Sequence, residues 1–242
     1  MGAIARRRYG LTQIAVAFGA IQAYEAVRRM LHPDWTAAIA NARHVETLER
    51  WAHLAGERSL QRAFLGVPYL VQAVNLFYFV GHFLFTAMFF LWLYRRSREG
   101  FRLYRDAFLA ATGLALLVHW SFPTAPPRLA GIGVLDTLRL FSGIDIGSTH
   151  AASFYNPVAA VPSLHAAYAV GVGVGLIHFG RAWWARAAGA IYPPTVVWTV
   201  VVTGNHFVVD AVAGAAVLGV GFVLARANGA ILRPATRGGA VR

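Results

Sequence analysis

Six stretches of the chain, at 10–28, 69–94, 106–122, 162–180, 183–203 and 206–226, are almost wholly apolar, and the charged positions collect between them. A helix that crosses a bilayer needs about 20 predominantly apolar residues, so each stretch predicts one span. The second is the strongest and ends in Phe89-Phe90-Leu91-Trp92-Leu93-Tyr94, whereas the third is short. The fifth holds Pro193-Pro194, which predicts a kink because proline removes ladder hydrogen bonds. Residues 41–64 pattern differently. There Val45, Leu48, Ala52 and Ala55 recur at helical spacing with Arg43, Glu46, Glu49, Arg50 and Glu57 between them. This predicts an amphipathic helix lying along the outer membrane–water interface in a packing role. The expected fold is all-α: an integral membrane six-helix bundle with one interfacial helix, a single membrane domain over residues 1–242. Gly171-Val172-Gly173-Val174-Gly175 reads as close helix packing, since no strand precedes it as a nucleotide loop would require.

Composition agrees with the pattern. Hydrophobic residues make up 57% and charged residues 13%, against about a quarter charged in an ordinary soluble domain. All 22 basic side chains are arginine, which excludes lysine-dependent chemistry such as a Schiff base or a Walker-type phosphate loop. The absence of cysteine excludes disulfides and thiolate metal sites. A formal charge of +12 raises the question of nucleic acid, but the arginines punctuate apolar runs and form no aromatic-interleaved face. Anionic lipid headgroups are the expected counter-charge, and no nucleic-acid partner is expected.

Arginine placement sets an orientation. With the N-terminus cytoplasmic, 14 arginines fall on the cytoplasmic side and 8 outside, anchored by Arg95, Arg96, Arg98, Arg102 and Arg105 between spans two and three. Both termini are thus expected in the cytoplasm of a bacterium, the chain in its plasma membrane and the first span retained.

This topology brings three chemical groups to the outer face. Arg128 follows span three in Phe122-Pro123-Thr124-Ala125-Pro126-Pro127-Arg128. His165 opens span four in Pro162-Ser163-Leu164-His165, and His206 opens span six in Gly204-Asn205-His206, 41 residues later. His206 and Asp210 stand four apart, on one helix face. Asp210 can then hold one ring nitrogen and leave the other as a nucleophile, with His165 supplying a proton to the leaving oxygen. Pro162 suits the first helical position, placing Ser163 and nearby N–H groups where the helix dipole favours an anion. Three alternatives stay open: a zinc site from His165, His206 and Asp210, a structural Asp–His pair, and a non-enzymatic transporter or scaffold. Asn75, Tyr78 and His119 read as packing groups within the bundle, and His82 as a packing group that also admits a functional role. His150 and Tyr155 read as ordinary loop residues before span four.

Three segments carry a family resemblance: Pro123-Thr124-Ala125-Pro126-Pro127-Arg128, Val161-Pro162-Ser163-Leu164-His165-Ala166-Ala167, and Thr203-Gly204-Asn205-His206-Phe207 with Asp210. They resemble the type 2 phosphatidic acid phosphatase superfamily and look most like its inositol phosphorylceramide synthase-like branch. The resemblance implies His206 as phosphohistidine nucleophile, Asp210 as its orienting partner, His165 as general acid and Arg128 as phosphate clamp. It further implies metal-free, cofactor-free chemistry on a lipid phosphate, with water or a lipid or inositol hydroxyl as acceptor. Departures from the superfamily pattern are Ser121 at its first-motif lysine, Leu129 after Arg128, Leu164 at a glycine, and Thr199-Val200 where Ser-Arg is usual. Two phosphate-binding cations are therefore missing, with Arg58, Arg62 and Arg139 as outer-loop candidates to replace them.

Overall fold

The computed structural model describes residues 3–30, 34–145 and 156–231; His150 and Tyr155 lie outside them. The elements of the described chain are helices joined by loops: α1 (Ala3–Met30), α2 (Trp35–Trp51), α3 (Glu57–Leu65), α4 (Pro68–Leu76), α5 (His82–Arg96), α6 (Arg98–Ser121), α7 (Thr137–Ser142), α8 (Leu164–Phe179), α9 (Trp183–Val202) and α10 (Val208–Ile231). A π-helical turn, Phe77–Gly81, joins α4 to α5. Among the described residues the one sheet-like feature is a single bridge between Thr124 and Ala159.

All six apolar stretches are helical, but two of them are long and apolar enough to cross a membrane by length and composition: Pro68–Arg96 and Val208–Asn228. Only 28% and 33% of their apolar windows are buried. Leu84, Met88, Leu91, Val212, Val220 and Val223 therefore point outward from the protein. α8, at 16 residues, is shorter than a full span, and α9 runs through Pro193 and Pro194 as one helix.

The main core lies between α5, α6, α8, α9 and α10, where Tyr78, Phe89, Leu93, Phe108, Val172, Val196 and Leu218 pack together. α8 and α9 approach backbone to backbone. A Cβ on Gly173 would meet the Gly189 carbonyl at 2.5 Å, and one on Gly189 would meet the Gly173 carbonyl at 2.6 Å. The glycine run of α8 thus serves helix packing, the use small residues have where helices meet closely.

The interfacial segment departs from expectation in two ways. It forms two helices, α2 and α3, broken by the turn at 52–56. Its buried face is also rotated: Ala38, Ala42, Val45 and Glu49 face inward, while Leu48 and Trp51 are exposed. The reason lies in the partner surface. The small face of α2 fits against the loop that carries Arg128, packing with Ala125, Ala130, Val158 and Phe207. Backbone and side-chain bonds fasten it there, from Ala125 N–H to the Ala38 carbonyl (3.0 Å) and from the Asn41 amide to the Pro123 carbonyl (2.8 Å). Glu49 on that face has its Oε1 met by one backbone donor, the Val209 N–H at 2.7 Å, in line with the rule that buried polar groups find partners.

Candidate active site

His206 sits in the turn Thr203–Phe207, between the end of α9 and the start of α10. The turn needs Gly204, whose φ of 71° is a left-handed conformation that glycine adopts without steric cost. A side chain there would also strike the Leu135 carbonyl and Val134, both 2.9 Å from the added Cβ. His206 is buried, and its Nδ1 faces two acceptors, the Ala160 carbonyl at 2.9 Å and Asp210 Oδ2 at 3.2 Å. Both are satisfied if Nδ1 carries the hydrogen, which leaves the lone pair on Nε2. Among the described residues Nε2 has no hydrogen-bond partner. Asp210 is fully buried, and the same Oδ2 accepts the Phe207 N–H at 2.9 Å.

α10 is locked to the start of α8. Ser163 N–H donates to the Asp210 carbonyl at 3.0 Å, and a Cβ on Gly214 would collide with the Ser163 carbonyl. The helix opens two residues later than the sequence pattern implied: it begins at Leu164, with Ser163 as N-cap and Pro162 ahead of it. Ser163 Oγ accepts the Ala166 N–H at 3.3 Å, a cap of a kind whose loss costs about 1 kcal/mol. Both the hydroxyl and the N–H of Ser163 are thus engaged within the protein. The N–H groups of Leu164 and His165 have no partner among the described residues, so they are the donors that α8 offers to an anion.

The His165 ring lies 5.8 Å from that of His206, centroid to centroid. It is walled by Tyr78, stacked at 4.5 Å, by Phe83 at 5.1 Å and by His82 at 5.0 Å. The π-helical turn brings Tyr78 and His82 to this wall, in keeping with the frequent occurrence of such turns at functional sites. His165 Nε2 is buried without a partner. His82 is held through Nδ1 by the Tyr192 hydroxyl at 2.9 Å. His119 reaches the Pro162 carbonyl through Nε2 at 3.3 Å and so braces the loop before α8. Asn75 bonds the Thr137 carbonyl and Ser142, a packing role.

Arg128 completes the cluster. Its Nε donates to Asn205 Oδ1 at 2.9 Å and its Nη1 to Asp136 Oδ2 at 3.2 Å. Its Nη2 is buried with no partner. The Arg128 N–H bonds the Gly204 carbonyl at 3.0 Å, so the loop that carries His206 also aims the guanidinium. Asn205, quoted above only as part of a motif, is thereby the residue that orients Arg128. Of the candidate replacement cations, Arg58 donates to the Ile132 carbonyl, and Arg62 and Arg139 are exposed. Ser121 bonds its own helix, and Val200 is buried in α9.

The structure therefore brings Arg128, Ser163, His165, His206 and Asp210 into one cluster. Asp210 turns Oδ2 to His206 and the Phe207 N–H, and its Oδ1 is buried without a partner. Among the described residues no group of three His, Asp or Glu side chains is arranged to hold a metal ion. The arrangement supplies an imidazole nitrogen with an open lone pair, a second imidazole beside it, an unpartnered guanidinium NH₂ and two backbone donors without a partner among the described residues.

The family model of the PAP2 superfamily matches residues 43–224. No curated protein and no solved structure matches the chain. The family match covers well over half of the sequence and includes all five clustered residues, so the chain belongs to the PAP2 superfamily.

Proposed function

We propose that the protein is an integral membrane enzyme that cleaves or transfers the phosphoryl group of a lipid phosphate through a phosphohistidine on His206. Superfamily membership supports a phosphatase or phosphotransferase type of function. The observation that carries the finer reading is the state of His206, with Nδ1 held by Ala160 and Asp210 and Nε2 open beside His165.

In the first step Nε2 attacks phosphorus, the bond from phosphorus to the lipid oxygen breaks, and His165 gives that oxygen its proton. Asp210 stabilises the charge that forms on the His206 ring. Arg128 Nη2 and the Leu164 and His165 N–H groups receive the phosphoryl oxygens, where preorganised donors act in a water-poor setting. In the second step an acceptor hydroxyl loses its proton to His165 and attacks phosphorus, and the nitrogen–phosphorus bond breaks. Water as acceptor makes the enzyme a lipid phosphatase. A lipid or inositol hydroxyl makes it a phosphotransferase, and it is of the inositol phosphorylceramide synthase type when the donor is a phosphodiester whose headgroup stays on phosphorus and the acceptor is a lipid hydroxyl. The second is favoured by Ser121, Leu164 and Val200, which depart from the hydrolase pattern. Incubating the purified protein with a panel of lipid phosphates, with and without alcohol acceptors, decides between them. Free phosphate alone marks a phosphatase, a phosphorylated acceptor seen by mass spectrometry marks a transferase, and neither product overturns the proposal.

The membrane reading is supported by the outward apolar faces of Pro68–Arg96 and Val208–Asn228. It is supported too by exposed Trp51, Tyr69 and Trp120 at one set of helix ends and by exposed Trp183 and Trp184 at another, as in interfacial aromatic belts. With six spans and both termini cytoplasmic, the cluster opens on the extracytoplasmic side. A cysteine introduced at position 150 is then labelled in intact cells by an impermeant thiol reagent, and one at position 100 is not. The reverse pattern refutes this orientation.

A further inference from the structure

Two glutamates of the interfacial segment reach the active-site helix. Glu49 of α2 is fully buried and Glu57 of α3 nearly so. Glu49 Oε1 accepts the Val209 N–H at 2.7 Å. Glu57 Oε1 accepts the Val208 N–H at 3.4 Å, and its Oε2 takes the Gly56 N–H at 3.1 Å. With Asp210 on the Phe207 N–H, three consecutive donors at the start of α10 are each held by a carboxylate from a different element. These donors have no intrahelical partner and must be satisfied from outside.

The two glutamate carboxyls thus sit on neighbouring N–H groups, those of Val208 and Val209, and Glu49 Oε2 is buried with no hydrogen-bond partner. A buried carboxyl oxygen without a donor, next to a second carboxyl, is relieved by a hydrogen between the two. The charged groups facing Glu49 are both acidic, Glu57 from α3 and Asp210 from α10. Arg43, Arg50 and His53 of its own segment and Arg58 of α3 are exposed, and Arg128 on the adjoining loop is turned to Asn205 and Asp136. Burial first, and then the contact with Glu57, pushes the Glu49 carboxyl up to about 9, as expected of a carboxyl kept from water beside like charge.

We infer that Glu49 and Glu57 share one proton and, as a protonated pair, act as positioning residues that hold the first turn of α10 and with it the His206–Asp210 unit. The inference rests on the roles proposed above for those two residues. Neither glutamate touches the reacting atoms. Their effect passes through the backbone at 208–209 to Asp210 one residue further on.

The test compares Glu49→Gln, Glu57→Gln and Glu49→Ala with the unaltered protein, purified in detergent, by two readouts. The first is the melting temperature against pH without substrate. The folded protonation constant of Glu49 lies above its ordinary value, so its stabilisation is complete below about 4.5 and is lost as pH rises through about 9. Glu49→Gln carries a permanent N–H donor to Glu57 and is expected to flatten this fall, as is Glu57→Gln. The second readout is kcat and KM against pH. Glu49→Ala leaves the Val209 N–H without its acceptor and is expected to lower kcat about 10- to 100-fold with KM little changed. Glu49→Gln is expected to restore kcat to within a few fold at neutral pH and to keep it above pH 9, where the unaltered protein falls.

A Glu49→Gln melting profile that still falls like the original overturns the shared proton. So does stabilisation of the original, and not of Glu49→Gln, by added Ca²⁺ or Mg²⁺, which would make the pair a cation site. An unchanged kcat in Glu49→Ala overturns the positioning role; if that variant fails to fold, an alkaline loss of kcat in Glu49→Gln equal to that of the original does the same. The melting readout needs no turnover. A flattened profile together with full activity in His206→Ala would remove the catalytic reading and leave the proton pair standing, and the converse result would do the opposite.

Discussion

The His206→Ala protein is expected to show no turnover and no acid-labile phosphate, whatever the substrate. His165→Ala is expected to behave differently. It loses about 10²- to 10⁴-fold in kcat on a lipid phosphate, the usual worth of general acid–base help, yet still becomes phosphorylated by a substrate with a good leaving group. The split follows from the geometry. His206 has one nitrogen occupied by Ala160 and Asp210 and so offers a single directed lone pair, whose removal leaves nothing to form the covalent bond. His165 is packed against Tyr78 and Phe83 with Nε2 unpartnered, and in the proposed mechanism that nitrogen protonates the departing oxygen. A leaving group that is stable as an anion needs no such proton. Rapid-quench labelling with a radioactive phosphoryl donor measures both. Near-native activity in His206→Ala removes the nucleophile assignment, and equal loss of phosphorylation in both variants removes the division of roles.

Arg128→Lys is expected to cost about 10²- to 10³-fold in kcat, the scale of losing one preorganised donor to the developing charge, although the formal charge is unchanged. The guanidinium uses Nε for Asn205 and Nη1 for Asp136, and still presents Nη2. A single ammonium cannot reproduce that planar fork. Activity of the original protein is expected to survive EDTA, because in the proposed mechanism Arg128 and the backbone donors of Leu164 and His165, with no metal ion, neutralise the phosphoryl oxygens. Loss on chelation that one added metal restores would overturn the metal-free mechanism. The melting temperature of Arg128→Lys separates a lost clamp from a lost fold.

Much of this site was legible in the chain itself because two strong local rules met. Apolar runs of helical length located the helices, and placing the motifs at helix ends on one predicted side put Arg128, His165 and His206 together. The His206–Asp210 contact followed from a four-residue spacing on a helix. Ser163 shows where local rules stop. Proline and serine ahead of an apolar run announce a helix start, but a shift of two residues in that start turns an anion-facing serine into a buried cap. Glu49 shows it more sharply. Read along α2 alone it belongs with the polar positions, because no local rule records a backbone donor that arrives from a helix 160 residues away.

The sequence by itself determined the all-helical class of the chain and the residue types available for chemistry, since these depend on composition and on periodicity within one segment. Tertiary structure alone decided which face of α2 is buried and that Asn205 aims Arg128. It also decided that the Ala160 carbonyl shares His206 Nδ1 with Asp210, and that Glu49 and Glu57 cap α10. The Arg128–Asn205 bond joins two side chains 77 residues apart, and the others rest on side chains that meet backbone groups of another element. Every residue carries the same backbone donor and acceptor, so such a partner leaves no mark on the sequence and is chosen only when the helices pack.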